Sequence, residues 1–238
     1  GNIKNKRTMK TIAILLCGGE ATRWGNYLNS PKHLINIEGE RLLDRTTRLI
    51  HEAGIDDIYV VTKQYDERYD TKYSKQEVVK VDYEANADAD KFLSSKHLWN
   101  KEGRTIVFYG DCYFTEEAID RIVNFKSEDW TLFCRPTASN ITGCPYGECF
   151  AQSFYPKDIK EHEEMLHYIA QLWKDKIITR CGGWEHYRAM TGRRDKKVRH
   201  PHIMTTNYEI IDDFSEDFDT PEDYEIWLKN RTKFLSRK

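Results

Sequence analysis

The chain has 238 residues, enough for one substantial hydrophobic core, and its formal net charge of −2 gives no overall attraction to nucleic acid or to a membrane surface. No apolar run approaches the roughly 20 residues needed to span a bilayer, and the polar, basic opening "GNIKNKRT" lacks a signal peptide's apolar core. Met9 reads as a natural start, which makes residues 1–8 a leader or an appended remnant, and six cysteines without a C-x-x-C spacing fit a reduced, cytoplasmic setting.

In chain order, "TIAILLC" (Thr11–Cys17) is continuously apolar and predicts a buried strand. "LLDRTTRLIHEA" places Leu42, Thr46, Leu49, Ile50 and Ala53 on one helical face, with Gly54 as its stop. A strand is expected over Asp57–Thr62, a helix over "KFLSSKHLW" (91–99), a strand over Thr105–Gly110 and a helix over "EEAIDRIVNF" (116–125). "TLFCR" (Thr131–Arg135) is a further strand. The β-α-β rhythm predicts a single α/β domain over residues 9–238 with crossover connections and a mainly parallel central sheet. The stretch from Pro136 to His202 is less regular, with one helix in "DIKEHEEMLHYIAQLW" (158–173), and reads as an insertion that closes over the sheet. The domain then divides into a regular half (9–135), an insertion (136–212) and a C-terminal motif with its helix (213–238).

In open parallel sheets, ligands bind outside the carboxyl ends of the strands. Three polar motifs fall there. Directly after the first strand, "CGGEATRWGNYLNSPKHL" offers Gly18 and Gly19, which let backbone N–H groups approach an anion, and two cations, Arg23 and Lys32. A solvated surface loop would have the same composition. The loop is neither a P-loop nor a G-x-G-x-x-G fingerprint. In "FYGDCYF", Asp111 follows a strand and Gly110 and suits Mg²⁺, a hard cation that takes oxygen ligands. Thr115 is better placed as the next helix's N-cap, which frees Asp111. In "DFDTPEDYEIW", Thr220 and Pro221 start a helix, which leaves Asp217 and Asp219 on one side of an extended segment, able to hold a metal together with Asp111.

These residues carry a resemblance. "LLCGGEATRWGNYLNSPKHLINIEGERLLDRT" resembles the signature of the NTP-transferase superfamily, which includes hexose-1-phosphate nucleotidyltransferases, cytidylyltransferases and molybdopterin guanylyltransferases. Gly18, Gly19, Thr22, Arg23, Gly25, Pro31, Lys32, Leu34, Gly39, Leu42 and Leu43 fall into it, "GDCYF" is similar to its G-D metal motif, and "DFDTPEDYE" to its D-I-D-T-P-E-D-L close. The resemblance implies a single Rossmann-like domain of the glycosyltransferase-A type, with 9–135 as its nucleotide-binding half and 136–212 as an acceptor-side insertion, and Mg²⁺- (or Mn²⁺-) dependent transfer of a nucleotidyl group from an NTP to a small phosphorylated acceptor, a sugar phosphate or phosphocholine, with pyrophosphate release. It implies a nucleotide site of Leu16, Cys17, Gly18, Gly19, Thr22, Arg23 and Lys32. In it Arg23 neutralises the β- and γ-phosphates and Lys32 the α-phosphate, and loss of either should cost turnover but not the fold. Asp111 and Asp219 would hold the metal, with Asp217 as an alternative or supporting ligand. Trp24 departs from the family's Met or Leu.

The alternative is a glycosyltransferase of the same fold, fed by a nucleotide sugar. Its metal motif would be D-x-D, and "DAD" (Asp88, Asp90) has that form but also reads as a helix start. The basic stretch Arg193–His202 admits a nucleic-acid acceptor, which the loop motifs do not favour. Tyr146, Glu148 and Trp184 are the candidates on the acceptor side. The eight histidines form no zinc spacing.

Overall fold

The computed structural model describes residues 11–19, 23–200 and 204–236. Thr22, His202 and the expected leader over residues 1–8 lie outside the described residues. A seven-stranded sheet runs through the centre, built on β1 (Ile12–Leu16). After β1 the chain makes a small hairpin, β2 (Asn36–Ile37) and β3 (Glu40–Arg41), turned at Glu38 and Gly39 where both φ are positive. Helix α1 (Leu42–Glu52) leads to β4 (Asp57–Thr62) and β5 (Lys75–Val78). Next come β6 (Thr105–Tyr109), the two-residue β7 (Cys112–Tyr113), α2 (Glu116–Val123) and β8 (Thr131–Arg135). Two short helices, Tyr83–Asn86 and Asp90–Leu93, lie between β5 and β6, and after β8 come β9 (Glu148–Phe154), α3 (Ile159–Lys174), α4 (Gly183–Met190), β10 (Tyr208–Ile210), β11 (Glu216–Asp217) and α5 (Pro221–Ser236).

The order across the sheet is β10-β8-β9-β6-β1-β4-β5, and every pairing is parallel except the two made by β9. Side chains alternate between the faces, as they must in a strand. Ala13 and Leu15 join Leu49, Ile50, Ile119 and Ile122 under α1 and α2. Ile14 faces the other way, into a core with Leu166, Ile169 and Ala189 of α3 and α4. Two helical layers on a mainly parallel sheet are the expected α/β architecture.

Four differences from the sequence reading have physical causes. Within 91–99 the α-helix stops at Leu93, and only a 3₁₀ turn, Lys96–Leu98, follows. Ser94 and Ser95 turn their hydroxyls back onto the carbonyls of Lys91 and Phe92, which competes with helix propagation. β5, with the sequence KQEV, and the three-residue β10 are polar or short edge strands without an apolar signal. β9 comes from the stretch read as an insertion, yet it lies buried between β6 and β8. Its antiparallel direction matters. β9 begins at the edge where the parallel strands end, so its first residue, Glu148, belongs to the ligand-binding edge.

A third, smaller cluster packs Trp24, Tyr113, Phe218, Tyr224 and Trp227 together. Trp24 is 2% exposed, donates its indole N–H to the Ser30 carbonyl (3.1 Å) and meets Tyr27 and Tyr224 edge-on. The departure at residue 24 thus anchors the loop after β1 to helix α5.

Candidate active site

The loop after β1 and the end of β6 meet closely. The Gly110 N–H donates to the Leu16 carbonyl (3.1 Å), and a Cβ at Gly110 would lie 2.7 Å from that oxygen, so only glycine fits before Asp111. Pairing of β7 with β11 sets Asp217 opposite Cys112. Thr115 caps α2 through the Ala118 N–H (3.0 Å) and Thr220 accepts from the Asp223 N–H (3.1 Å), so neither helix start uses Asp111, Asp217 or Asp219 as its cap.

Lys32 lies at the centre of the site. It follows Pro31 in a 3₁₀ turn and is 3% exposed. Its ammonium donates to Asp217 Oδ1 (2.6 Å) and the Phe218 carbonyl (2.7 Å) and stands 3.4 Å from Asp111 Oδ2. Burial opposes the Lys32 charge, but Asp217 and then Asp111 outweigh it and raise its pKa above the ordinary lysine value. Burial also works against the Asp111 charge, yet Lys32 overcomes it and holds that carboxyl below the usual range. Asp217 is pushed well up by burial and by Asp111. The sequence reading took Lys32 for a loop cation dispensable to the fold. The structure places Lys32 as the buried counter-ion of two carboxylates.

Arg23 is different. Its side chain is 69% exposed and only approaches Asp219, at 3.6 Å. Next to Lys32, His33 is buried against the Tyr69 hydroxyl (3.1 Å), and burial lowers its pKa to about 4.

Among the described residues, two groups of side chains have the spacing of cation ligands: Asp111, Cys112 and Asp217, and Glu148, Asp217 and Asp219, each with ligand atoms within 4.8 Å of one another. Burial holds Cys112 firmly as a thiol, so the first group offers a hard cation only its two carboxylates. The second offers three. Asp217, assigned a supporting role from sequence, is common to both groups, whereas Asp111 and Asp219 belong to different ones. These oxygen donors fit Mg²⁺ or Mn²⁺, which keep several waters.

A cleft of about 220 Å³ opens beside this cluster. Leu16, Gly18, Gly19, Asp88, Lys91, Tyr109, Asp111 and Gly183 are among the residues that line it. Cys17, between Leu16 and Gly18, is buried, and burial holds it as a thiol. Of the acceptor candidates, Glu148 joins the carboxylate cluster. Tyr146 is 68% exposed, and Trp184 is half-buried against the larger core just after Gly183. Asp90 of the D-x-D is occupied, accepting from the Asp82 N–H (2.6 Å) and the Asn86 amide (2.8 Å), and Asp88 pairs with Lys91 (3.5 Å). In the basic stretch, Val198 is buried, Arg194 donates to the Ala189 carbonyl (2.7 Å), and Lys196, Lys197 and Arg199 are solvated.

With this geometry the chain was compared with known proteins. The family described as the MobA-like NTP transferase domain matches residues 13–167. The chain belongs to the MobA-like NTP transferase family. No curated protein sequence matches it. Among solved structures, it is similar to the CTP:phosphocholine cytidylyltransferase of Streptococcus pneumoniae (15% identity, TM-score 0.58, 91% of this chain and 96% of that one). It is similar to a putative glucose-1-phosphate thymidylyltransferase from Bacillus anthracis (14%, TM-score 0.58, 93% and 95%). It is also similar to the inositol-1-phosphate CTP transferase of T. maritima (12%, TM-score 0.54, 94% and 97%). At these identities the likeness is one of fold. Family membership makes the chain an enzyme of the nucleotidyltransferase type. Among the described residues, no helix is long and apolar enough to cross a membrane.

Proposed function

We propose that this NTP transferase moves a nucleotidyl group from an NTP to a small phosphorylated acceptor, with Mg²⁺ (or Mn²⁺) bound, and releases pyrophosphate. An oxygen of the acceptor's phosphate attacks the α-phosphorus, the bond from that phosphorus to the β-phosphate oxygen breaks, and pyrophosphate leaves. Such a displacement needs alignment and charge neutralisation more than covalent help. The observation that carries the reading is Lys32, a buried ammonium between Asp111 and Asp217 at the edge of the Gly18–Gly19 cleft. Charge builds at the α-phosphate during attack, and a preorganised cation there stabilises it.

In this reading Leu16, Gly18 and Gly19 bound the nucleoside, with Cys17 behind them. Arg23, exposed and weakly held, is free to meet the β- and γ-phosphates. Asp111, Asp217 and Asp219 hold the metal, which supplies further positive charge to the phosphates. Residues 136–212 supply the acceptor side. A sugar phosphate or a similar small ester is the acceptor class, in keeping with the phosphocholine, glucose-1-phosphate and inositol-1-phosphate named for proteins of the same fold. The commitment of Asp90 to its own loop weighs against nucleotide-sugar chemistry, and a reducing, cytoplasmic setting suits six free cysteines.

Equilibrium binding tests the reading. At a hundred times its Kd a nucleotide adds about 2.7 kcal/mol, which raises the melting temperature of a domain this size by roughly 5–10 °C. If none of the four NTPs with Mg²⁺ shifts the melt at millimolar concentration, the reading is wrong.

A further inference from the structure

No motif of the sequence singles out Lys91, yet among the described residues it is the one lysine or arginine that lines the cleft. Lys32 is committed behind it to Asp217 and the Phe218 carbonyl, and Arg23 reaches solvent beside Asp219. His33 lines the cleft as a neutral imidazole, because burial lowers its pKa to about 4. Two carboxylates, Asp88 and Asp111, also line it, so an anion that enters meets opposite charge on this wall only at Lys91. The ammonium lies against the glycine pair: a Cβ built on Gly19 would be 3.8 Å from Lys91 Nζ and 3.9 Å from its Cε.

The chain fixes this placement locally. Asp90 accepts from the Asp82 N–H (2.6 Å) and the Asn86 amide (2.8 Å), and Phe92 and Leu93 are buried, so the short helix Asp90–Leu93 is pinned on both sides of Lys91. The Lys91 side chain is 37% exposed, and its carboxylate partner, Asp88, is 57% exposed and 3.5 Å away. So exposed a pair is weak, whereas a charge-assisted hydrogen bond to a phosphate oxygen is strong. The apolar part of the lining, with Val61, Val79, Val81 and Phe92, suits a neutral base. The ammonium is placed instead at Gly19, where the backbone can approach an anion closely. A base would offer it one hydrogen bond; a phosphate offers that bond and the opposite charge.

We propose that Lys91 is a further nucleotide-binding residue, whose ammonium leaves Asp88 and holds the phosphate chain of the NTP beside Gly19. This rests on the nucleotidyl-transfer reading, in which the NTP occupies this cleft. Each of the four NTPs, with Mg²⁺ and without acceptor, is titrated calorimetrically into the wild type, Lys91→Met and Asp88→Asn, at about 50 mM and about 300 mM NaCl, a range over which exposed charges become screened. Met keeps the stem and removes the ammonium. For the NTP that binds the wild type, Lys91→Met should bind about tenfold or more weakly, the lower end for a hydrogen bond to a charged group. Its affinity should also fall less with salt than the wild type's, because an ionic contact is already gone. Asp88→Asn removes the competing carboxylate and should bind that NTP at least as tightly as the wild type. Binding by Lys91→Met within about twofold of the wild type, as for a surface pair, would overturn the inference. So would an equal salt response, which would make the contact one to the base, or weaker binding by Asp88→Asn, which would make the carboxylate the reading group. In each of these cases the wild type still binds its NTP and the nucleotidyl-transfer reading stands. If the wild type binds no NTP, that reading fails and the inference falls with it.

Discussion

Replacing Lys32 by Met separates a structural counter-ion from a loop cation. Met keeps the apolar stem and removes the ammonium, which leaves Asp217 facing Asp111, Asp219 and Glu148 without the cation that now donates to it at 2.6 Å. Losing one partner of a buried ion pair costs about 3–5 kcal/mol. The side chains of Asp217 and Asp111 are 15% and 34% exposed, so water recovers part of this, and about 2–3 kcal/mol is the expected loss. In a domain of this length that lowers the melting temperature by roughly 5–10 °C. Arg23→Met is the internal control: a pair at 3.6 Å on a 69% exposed side chain is worth a few tenths of a kcal/mol at most. Thermal melts of both variants, with and without Mg²⁺, read the difference. Millimolar Mg²⁺ should restore Lys32→Met more than it stabilises the wild type, and adding Asp217→Asn should recover most of the loss. If Lys32→Met melts with the wild type, Lys32 is not the counter-ion of this cluster.

Three further outcomes are expected. Asp111→Asn and Asp217→Asn should each cut Mg²⁺-dependent pyrophosphate release by about a hundredfold or more, and equally, because Asp217 is common to both ligand groups; a mild effect of Asp217→Asn would return it to a supporting role. Arg23→Ala should lower turnover without changing the melt, and unchanged turnover would leave Arg23 a surface residue. Burial lowers the pKa of His33 to about 4 and of His186 to about 3 from 6.5. The unfolded chain therefore takes up protons that the folded one refuses: stability is fully present above pH 6.5 and lost as pH falls toward the folded values. At pH 5 each histidine accounts for about 2 kcal/mol of loss. Urea melts at pH 7 and pH 5 should show a drop that shrinks by about that amount in His186→Phe, and an unchanged drop would refute the assignment.

Much of the fold was legible because its strands are apolar and its helices are capped. β1, β4, β6 and β8 are short buried runs, and Thr115 and Thr220 announce the helices after them. The motif carboxylates were legible too, since Asp111 follows a strand and Gly110, and Asp217 and Asp219 alternate around the buried Phe218. Two features were not. Pairing of β7 with β11 joins segments about a hundred residues apart, so nothing local says that Asp217 is the carboxylate that reaches Lys32. β9 carries Gln152 and Ser153 in its buried run, and those polar residues conceal not the strand itself but its central place between β6 and β8. Glu148 was legible as an acceptor-side candidate, but not as the first position of a central strand. Trp24 looked like an aberration in the loop because its partners, Tyr224 and Phe218's cluster, lie at the far end of the chain.

The central claim is transfer of a nucleotidyl group, and the fate of the α-phosphate tests it most directly. Each NTP labelled at the α-phosphorus is incubated with the protein, Mg²⁺ and a phosphorylated acceptor, and the products are separated. The account predicts that for one base the label moves onto the acceptor as a nucleoside diphosphate ester, with one unlabelled pyrophosphate released per transfer. Label that stays in the NTP with every acceptor, while a nucleotide sugar is split to its nucleoside diphosphate and transferred sugar, would contradict it.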